Sequence, residues 1–120
     1  MGKFLAAAIQ IDSQQNKEEN LACARAYLAQ AVQQGAKLVV FPECMDYCGA
    51  DYSVSAEKMP EGPTVQLLSG WAKEFGVWLH AGTIHERRDG EERLYNTSLV
   101  FAPDGTLAAK YSKTSVKWVK

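Results

Sequence analysis

Lys37-Leu38-Val39-Val40-Phe41-Pro42-Glu43 is the stretch from which the rest of the chain can be read. Leu38 to Phe41 is a short, unbroken apolar run. Such a run suits a strand buried on both faces, as in a sheet covered by helices. Pro42 ends it, because proline has no N–H to give to a ladder. Glu43 follows at once, so its carboxylate stands just beyond the carboxyl end of the strand, where open α/β sheets place their ligands. A solvated glutamate opening a loop has the same local sequence, so the rest of the chain must decide between the two.

Working outward toward the N-terminus, Phe4 to Ile11 is apolar and reads as a first strand, ending Gln10-Ile11-Asp12. Asn16 is placed to cap a helix, with Glu19 three residues on as the reciprocal partner. Leu21, Ala24, Leu28 and Val32 then recur at helical spacing, and Gly35 supplies a stop. Beyond Glu43, the stretch from Cys44 to Glu61 is long for a plain connector, and its length favours a functional loop. Gly62-Pro63 starts a second helix, since proline suits the first turn. Val65, Leu68, Ala72 and Phe75 mark its buried face, and Gly76 ends it.

Val77 to His85 reads as a third strand, with Gly82 permitting close approach of another backbone. Asp89-Gly90 and Asp104-Gly105 are turn signals. They bracket a fourth strand, Leu94 to Ala102, and open a fifth, Thr106 to Tyr111. The expected order is β-α-β-α-β-β-β. The first three strands should be parallel through helical crossovers, and the last three antiparallel through tight turns.

The bulk properties narrow the function. A chain of 120 residues with 47% hydrophobic and 22% charged content is an ordinary globular domain or part of one. A net charge of −1 gives no reason to expect nucleic acid or an anionic membrane surface as a partner. No apolar run is long enough to span a bilayer, and no secretory signal pattern opens the chain. Ala6 stands where myristoylation of Gly2 wants a hydroxyl residue. Cys23, Cys44 and Cys48 are an odd number without a paired framework, which points to a reducing, cytoplasmic setting.

The chemical candidates are few. Cys44 and Cys48 have no second Cys or His pair to complete a zinc site, so no metal or cofactor is expected. His80 and His85 fall an odd number apart on one expected strand, facing opposite ways, and His80 reads as a satisfied core residue. Asn96-Thr97-Ser98 matches a glycosylation sequon, an accidental match in a chain with no secretory signal. Glu43 and Lys113, each at a strand end, remain.

Six pieces in register give the chain a resemblance to the nitrilase, or carbon–nitrogen hydrolase, superfamily. They are Gln10-Ile11-Asp12; Gly35-Ala36 before Leu38 to Glu43; Gly82-Thr83-Ile84 with Glu86; Leu94-Tyr95-Asn96-Thr97-Ser98; Pro103-Asp104-Gly105; and Lys110-Tyr111-Ser112-Lys113-Thr114. The tract from Leu94 to Thr114 is most similar to the branch holding omega-amidases and the amidase that clears deaminated glutathione. The resemblance implies an α/β fold, the N-terminal portion of an α-β-β-α sandwich, with a mixed sheet and helices on one face. It implies hydrolysis of nonpeptide carbon–nitrogen bonds in small-molecule amides or nitriles through a Glu–Lys–Cys triad. Glu43 would be the general base and Lys113 the cation beside the oxyanion.

The departures are equally specific. The family's nucleophilic cysteine lies past the catalytic lysine, and no cysteine follows Lys113 in this sequence. The match breaks between Thr114 and Ser115. Residues 1–120 therefore read as a partial domain: a truncated or frameshifted product, or a fragment, inactive alone. The alternative is a non-catalytic remnant or interaction module of the same fold. Cys44 is no obvious substitute: if the backbone is extended there, its side chain points away from Glu43. A sheet covered on one face only should expose apolar residues such as Val39, Phe41, Leu79 and Val100, and favour self-association.

Overall fold

A computed structural model describes residues 2–113. The elements follow the expected order with one addition. They are β1 (Leu5–Ala8), α1 (Lys17–Gln33), β2 (Ala36–Val40), α2 (Pro63–Phe75), β3 (Trp78–His80), β4 (Ile84–Glu86), β5 (Tyr95–Phe101) and β6 (Leu107–Ser112). A single 3-10 turn, Tyr52–Val54, interrupts the long loop. The break between Thr114 and Ser115, and the tail after it, lie outside the described residues.

Local chemistry sets the helix ends. The Asn16 side chain accepts the Glu19 backbone N–H at 3.1 Å, closing the first turn of α1. Pro63 occupies the first turn of α2, and Gly76 ends it in the left-handed region at φ 64°. Both helices bury an apolar stripe, Ala24 and Leu28 from α1 and Val65, Leu68, Trp71 and Ala72 from α2. These pack with Val39, Leu79, Leu99 and Phe101 into one core.

The sheet is mixed. β1 and β3 flank β2 in parallel; β5 pairs antiparallel with β3 and β4 on one side and with β6 on the other. The parallel and antiparallel halves fall where the crossovers and tight turns place them. The expected third strand is broken in two. Leu79 lies opposite Phe101, and Ile84 lies opposite Thr97. Five steps along one strand (84 − 79) therefore match four on the other (101 − 97), which is the signature of a β-bulge. Gly82 makes it possible, with φ at 68°.

The bulge reverses two expectations. His80 and His85 are not on one strand, and they do not face opposite ways. Their partners across β5 are Val100 and Asn96, an even number apart, so both histidines share a face. The second correction concerns the apolar face. Val39, Phe41 and Leu79 are buried at 0–2% exposure, because they point toward the helices. The residues registered one step away, Leu38 with Trp78 and His80 with Val100, form the uncovered face. Trp78 is 45% exposed there and Tyr111 62%. An all-apolar strand carries no mark of which alternate set meets the helices.

Candidate active site

Glu43 stands beyond β2 in a tight turn, and the neighbouring strand holds the turn in place. Phe41 N–H donates to the His80 carbonyl at 2.9 Å, Cys44 N–H to Thr83 Oγ1 at 2.9 Å, and Met45 N–H to the Thr83 carbonyl at 3.2 Å. Cys44 takes a positive φ of 54° as the chain reverses. The bulge at Gly82 sits directly beneath; its α-carbon faces the Phe41 and Pro42 carbonyls so closely that no side chain fits between.

Lys113 arrives from the opposite side. On β6, Tyr111 lies opposite Ser98, and Lys113 N–H then donates to the Asn96 carbonyl at 2.9 Å. Side chains alternate along a strand, so Tyr111 and Lys113 project onto the uncovered face, while Lys110 and Ser112 project toward the helices. Lys113 Nζ donates to Glu43 Oε2 at 2.6 Å, joining residues 70 positions apart. Asn96 Nδ2 donates to the same oxygen, also at 2.6 Å.

The electrostatics follow from those contacts. The Lys113 ammonium, hydrogen-bonded to it, holds the Glu43 carboxyl below the ordinary glutamate value; Asn96 and the positive charge of Lys113 add to this, and slight desolvation opposes it. Glu43 in turn raises Lys113. Both side chains are about half exposed, at 54% and 51%. The pair is thus charged and open to solvent.

The thiol beside it is different. Burial, then the charge of Glu43, pushes the Cys44 thiol up, so at neutral pH it stays protonated and weakly nucleophilic. Cys48 Sγ lies 3.8 Å from the Tyr52 hydroxyl. Tyr52, pushed up to about 12 chiefly by its hydrogen bond with Cys48, stacks on His85 with ring centroids 4.0 Å apart. His85 is buried and held below its ordinary value by desolvation, so it stands neutral beside the carboxylate. The long loop therefore roofs one side of the site with Tyr52. Among the described residues, no group of three or more His, Cys, Asp or Glu side chains is placed to hold a metal ion.

Both residues expected at the site, Glu43 and Lys113, meet in it. His80 lies away from it, half-buried, with Nδ1 accepting the Gly82 N–H at 3.0 Å. Sequence reasoning passed over Asn96, taking its tripeptide as a sequon match. The available signal was alternation: Thr97, Leu99 and Phe101 are core positions, which leaves Asn96 on the opposite face with Lys113. Thr83 was likewise read only as part of a motif.

Comparison with known proteins places the chain in a family. The profile of the carbon-nitrogen hydrolase family matches residues 5–118. The chain is 42% identical over 115 residues to omega-amidase NIT2 of Danio rerio and 43% identical to omega-amidase NIT2 of Homo sapiens. Each match covers 94% of this chain and about 40% of the relative, so the chain spans well under half the length of these relatives. Among solved structures, Saccharomyces cerevisiae Nit3, a member of branch 10 of the nitrilase superfamily, superposes with a TM-score of 0.74 at 32% identity, over 86% of this chain and 41% of that one. The C. elegans NitFhit protein superposes with a TM-score of 0.83 at 21% identity, over 96% of this chain and 29% of that one, a likeness of fold. With the profile matched along nearly the whole chain, this protein belongs to the carbon-nitrogen hydrolase family.

Proposed function

We propose that Glu43 and Lys113 are the base and the cation of an amidase site for small omega-amides, and that these 120 residues alone do not turn over substrate. The observation that carries this reading is the 2.6 Å contact between Lys113 Nζ and Glu43 Oε2 at the mouth of the parallel strands. A carboxylate paired with an ammonium is a poor base, so the direct pair is a resting arrangement. A thiol and an amide entering between them would separate the charges. Glu43 would then take the thiol proton, the sulfur would attack the amide carbon, and Lys113 would stabilise the oxyanion. Glu43 would pass that proton to the amide nitrogen, so that the C–N bond breaks and ammonia leaves. The regenerated carboxylate would then activate water to hydrolyse the thioester, releasing the carboxylic acid and restoring the thiol. The half-buried, protonated Cys44 thiol does not suit the attacking role, so the nucleophile in this reading comes from outside the chain.

The reading is tested with the purified chain and small omega-amides, following ammonia. The expected result is none above background. Release that disappears in Glu43→Gln would place a competent nucleophile among these residues and overturn that part of the assignment.

The uncovered sheet face favours a second property. Phe4, Leu38 and Trp78 border an apolar hollow on it, and Phe4 is 66% exposed. Exposed apolar surface of this kind drives association. We propose that the chain, taken alone, self-associates through this face as copies cover one another's Trp78. Light scattering should give a mass above one chain, and Trp78→Lys should lower it. A monomeric wild-type chain at the same concentration would refute the proposal.

A further inference from the structure

Glu86 is a buried carboxylate that the site does not touch. Its side chain is 3% exposed. It lies on β4, opposite Tyr95, and so on the helix-facing side of the sheet. Four donors converge on it. Oε1 accepts from Thr97 Oγ1 at 2.9 Å, Arg88 Nη2 at 3.1 Å and Ser112 Oγ at 3.3 Å, and Oε2 accepts from Lys110 Nζ at 2.6 Å. Burial works against its charge, and these hydrogen bonds outweigh it, so the carboxyl is held below its ordinary value.

Two of the four donors, Lys110 and Ser112, belong to the end of β6. Among the described residues, that strand has β5 as its single neighbour. A strand end paired on one side frays readily, and the lysine of the site is the next residue after this end. With Lys110 and Ser112 tied down on the helix side, strand alternation presents Lys113 on the other. The same pairing sets the partner group, because His85, one residue before Glu86, lies opposite Asn96. We infer that Glu86 is a positioning residue, which by clamping Lys110 and Ser112 beneath the sheet holds Lys113 against Glu43 above it. Its importance for hydrolysis rests on the reading of Glu43 and Lys113 given above; its effect on their geometry does not.

That separation makes the inference testable without turnover. The readout is the pH titration of the Glu43 carboxyl, followed by carbon NMR in glutamate-labelled protein and assigned with Glu43→Gln. In Lys113→Met the Glu43 midpoint should rise. In Glu86→Gln it should rise by most of the same amount, although Glu86 touches neither residue, and the double variant should add little. Val65→Ala, a core change in α2, controls for general destabilisation and should leave the midpoint where it is. Arg88 and Lys110 are both part-exposed and can rehydrate, so Glu86→Gln should still fold. If it does not, Ser112→Ala cuts one clamp contact at the strand end and should move the midpoint in the same direction. A wild-type midpoint in folded Glu86→Gln, or in Ser112→Ala where that variant stands in, with Lys113→Met still shifted, overturns the clamp and spares the pair. No shift in Lys113→Met itself would remove the pair, and the clamp with it.

Discussion

Gly82→Ala is expected to destabilise the fold by about 3 kcal/mol or more, and to displace Glu43 in whatever folded protein remains. A β-carbon at this position would sit 1.9 Å from the Pro42 carbonyl oxygen and 2.5 Å from that of Phe41. Both are backbone atoms, so no rotamer change relieves the clash. The φ of 68° adds a left-handed penalty of about 1–2 kcal/mol for a residue with a side chain. Relief requires β2 and the turn after it to move away from the bulge, and Glu43 moves with them. Against a typical total stability of about 5–15 kcal/mol, a loss of this size is severe. Gly70→Ala is the matching control. Gly70 lies within α2 facing open space, so alanine there should stabilise by roughly 0.5–1 kcal/mol. Urea unfolding of the three proteins checks both signs. A Gly82→Ala protein as stable as the parent would mean that the bulge is not built as described.

Asp46→Asn is expected to stabilise the chain at neutral pH, although it removes a charge that faces a lysine. Asp46 is 1% exposed, neither carboxylate oxygen has a hydrogen-bond partner among the described residues, and Lys17 Nζ approaches only to 3.5 Å. Burial outweighs Lys17 and raises the carboxyl to about 6, from an ordinary 3.8. The folded state therefore keeps a proton up to about pH 6 that the unfolded chain releases about two pH units lower. In that window the folded state binds more protons, so this group lowers stability as pH rises. Above pH 6 the ionised buried group costs on the order of 2–3 kcal/mol relative to its protonated form. Lys17 keeps its bonds to Glu57 at 3.0 Å and to the Ser55 carbonyl at 2.8 Å, so it is not orphaned. A gain of about 1–2 kcal/mol is expected at pH 7.5, shrinking toward zero at pH 5, where the native Asp46 is mostly protonated. Urea unfolding at the two pH values, at one protein concentration, reads it. An Asp46→Asn protein less stable than the parent at pH 7.5 would show that Lys17 does compensate the buried charge.

Much of this architecture was legible where the physics is local. Asn16, Pro63 and Gly76 announce helix ends through groups within a few residues, and the crossovers dictate which strands run parallel. The bulge was not legible. Val77 to His85 reads as one strand, and the break at Gly82 depends on carbonyls 40 positions earlier. Face assignment failed for a related reason. Val39 and Leu38 are equally apolar, and which of them meets the helices is settled by packing. At the site, Glu43 and Lys113 were visible as charged residues at strand ends with family motifs around them. Asn96 and Glu86 stood inside those motifs without a role, because Asn96 meets Glu43 across 53 positions and Glu86 meets Lys110 and Ser112 across 24 and 26.

The central claim is that this chain supplies the carboxylate and the ammonium of an amidase site. The most direct test is complementation. The chain is co-expressed with the part of the Danio rerio omega-amidase that lies beyond the matched stretch, the complex is purified, and ammonia release from small omega-amides is followed. The account predicts release from the complex, none from either part alone, and loss to background with Glu43→Gln or Lys113→Met in this chain. Release from the complex undiminished by either substitution would contradict it.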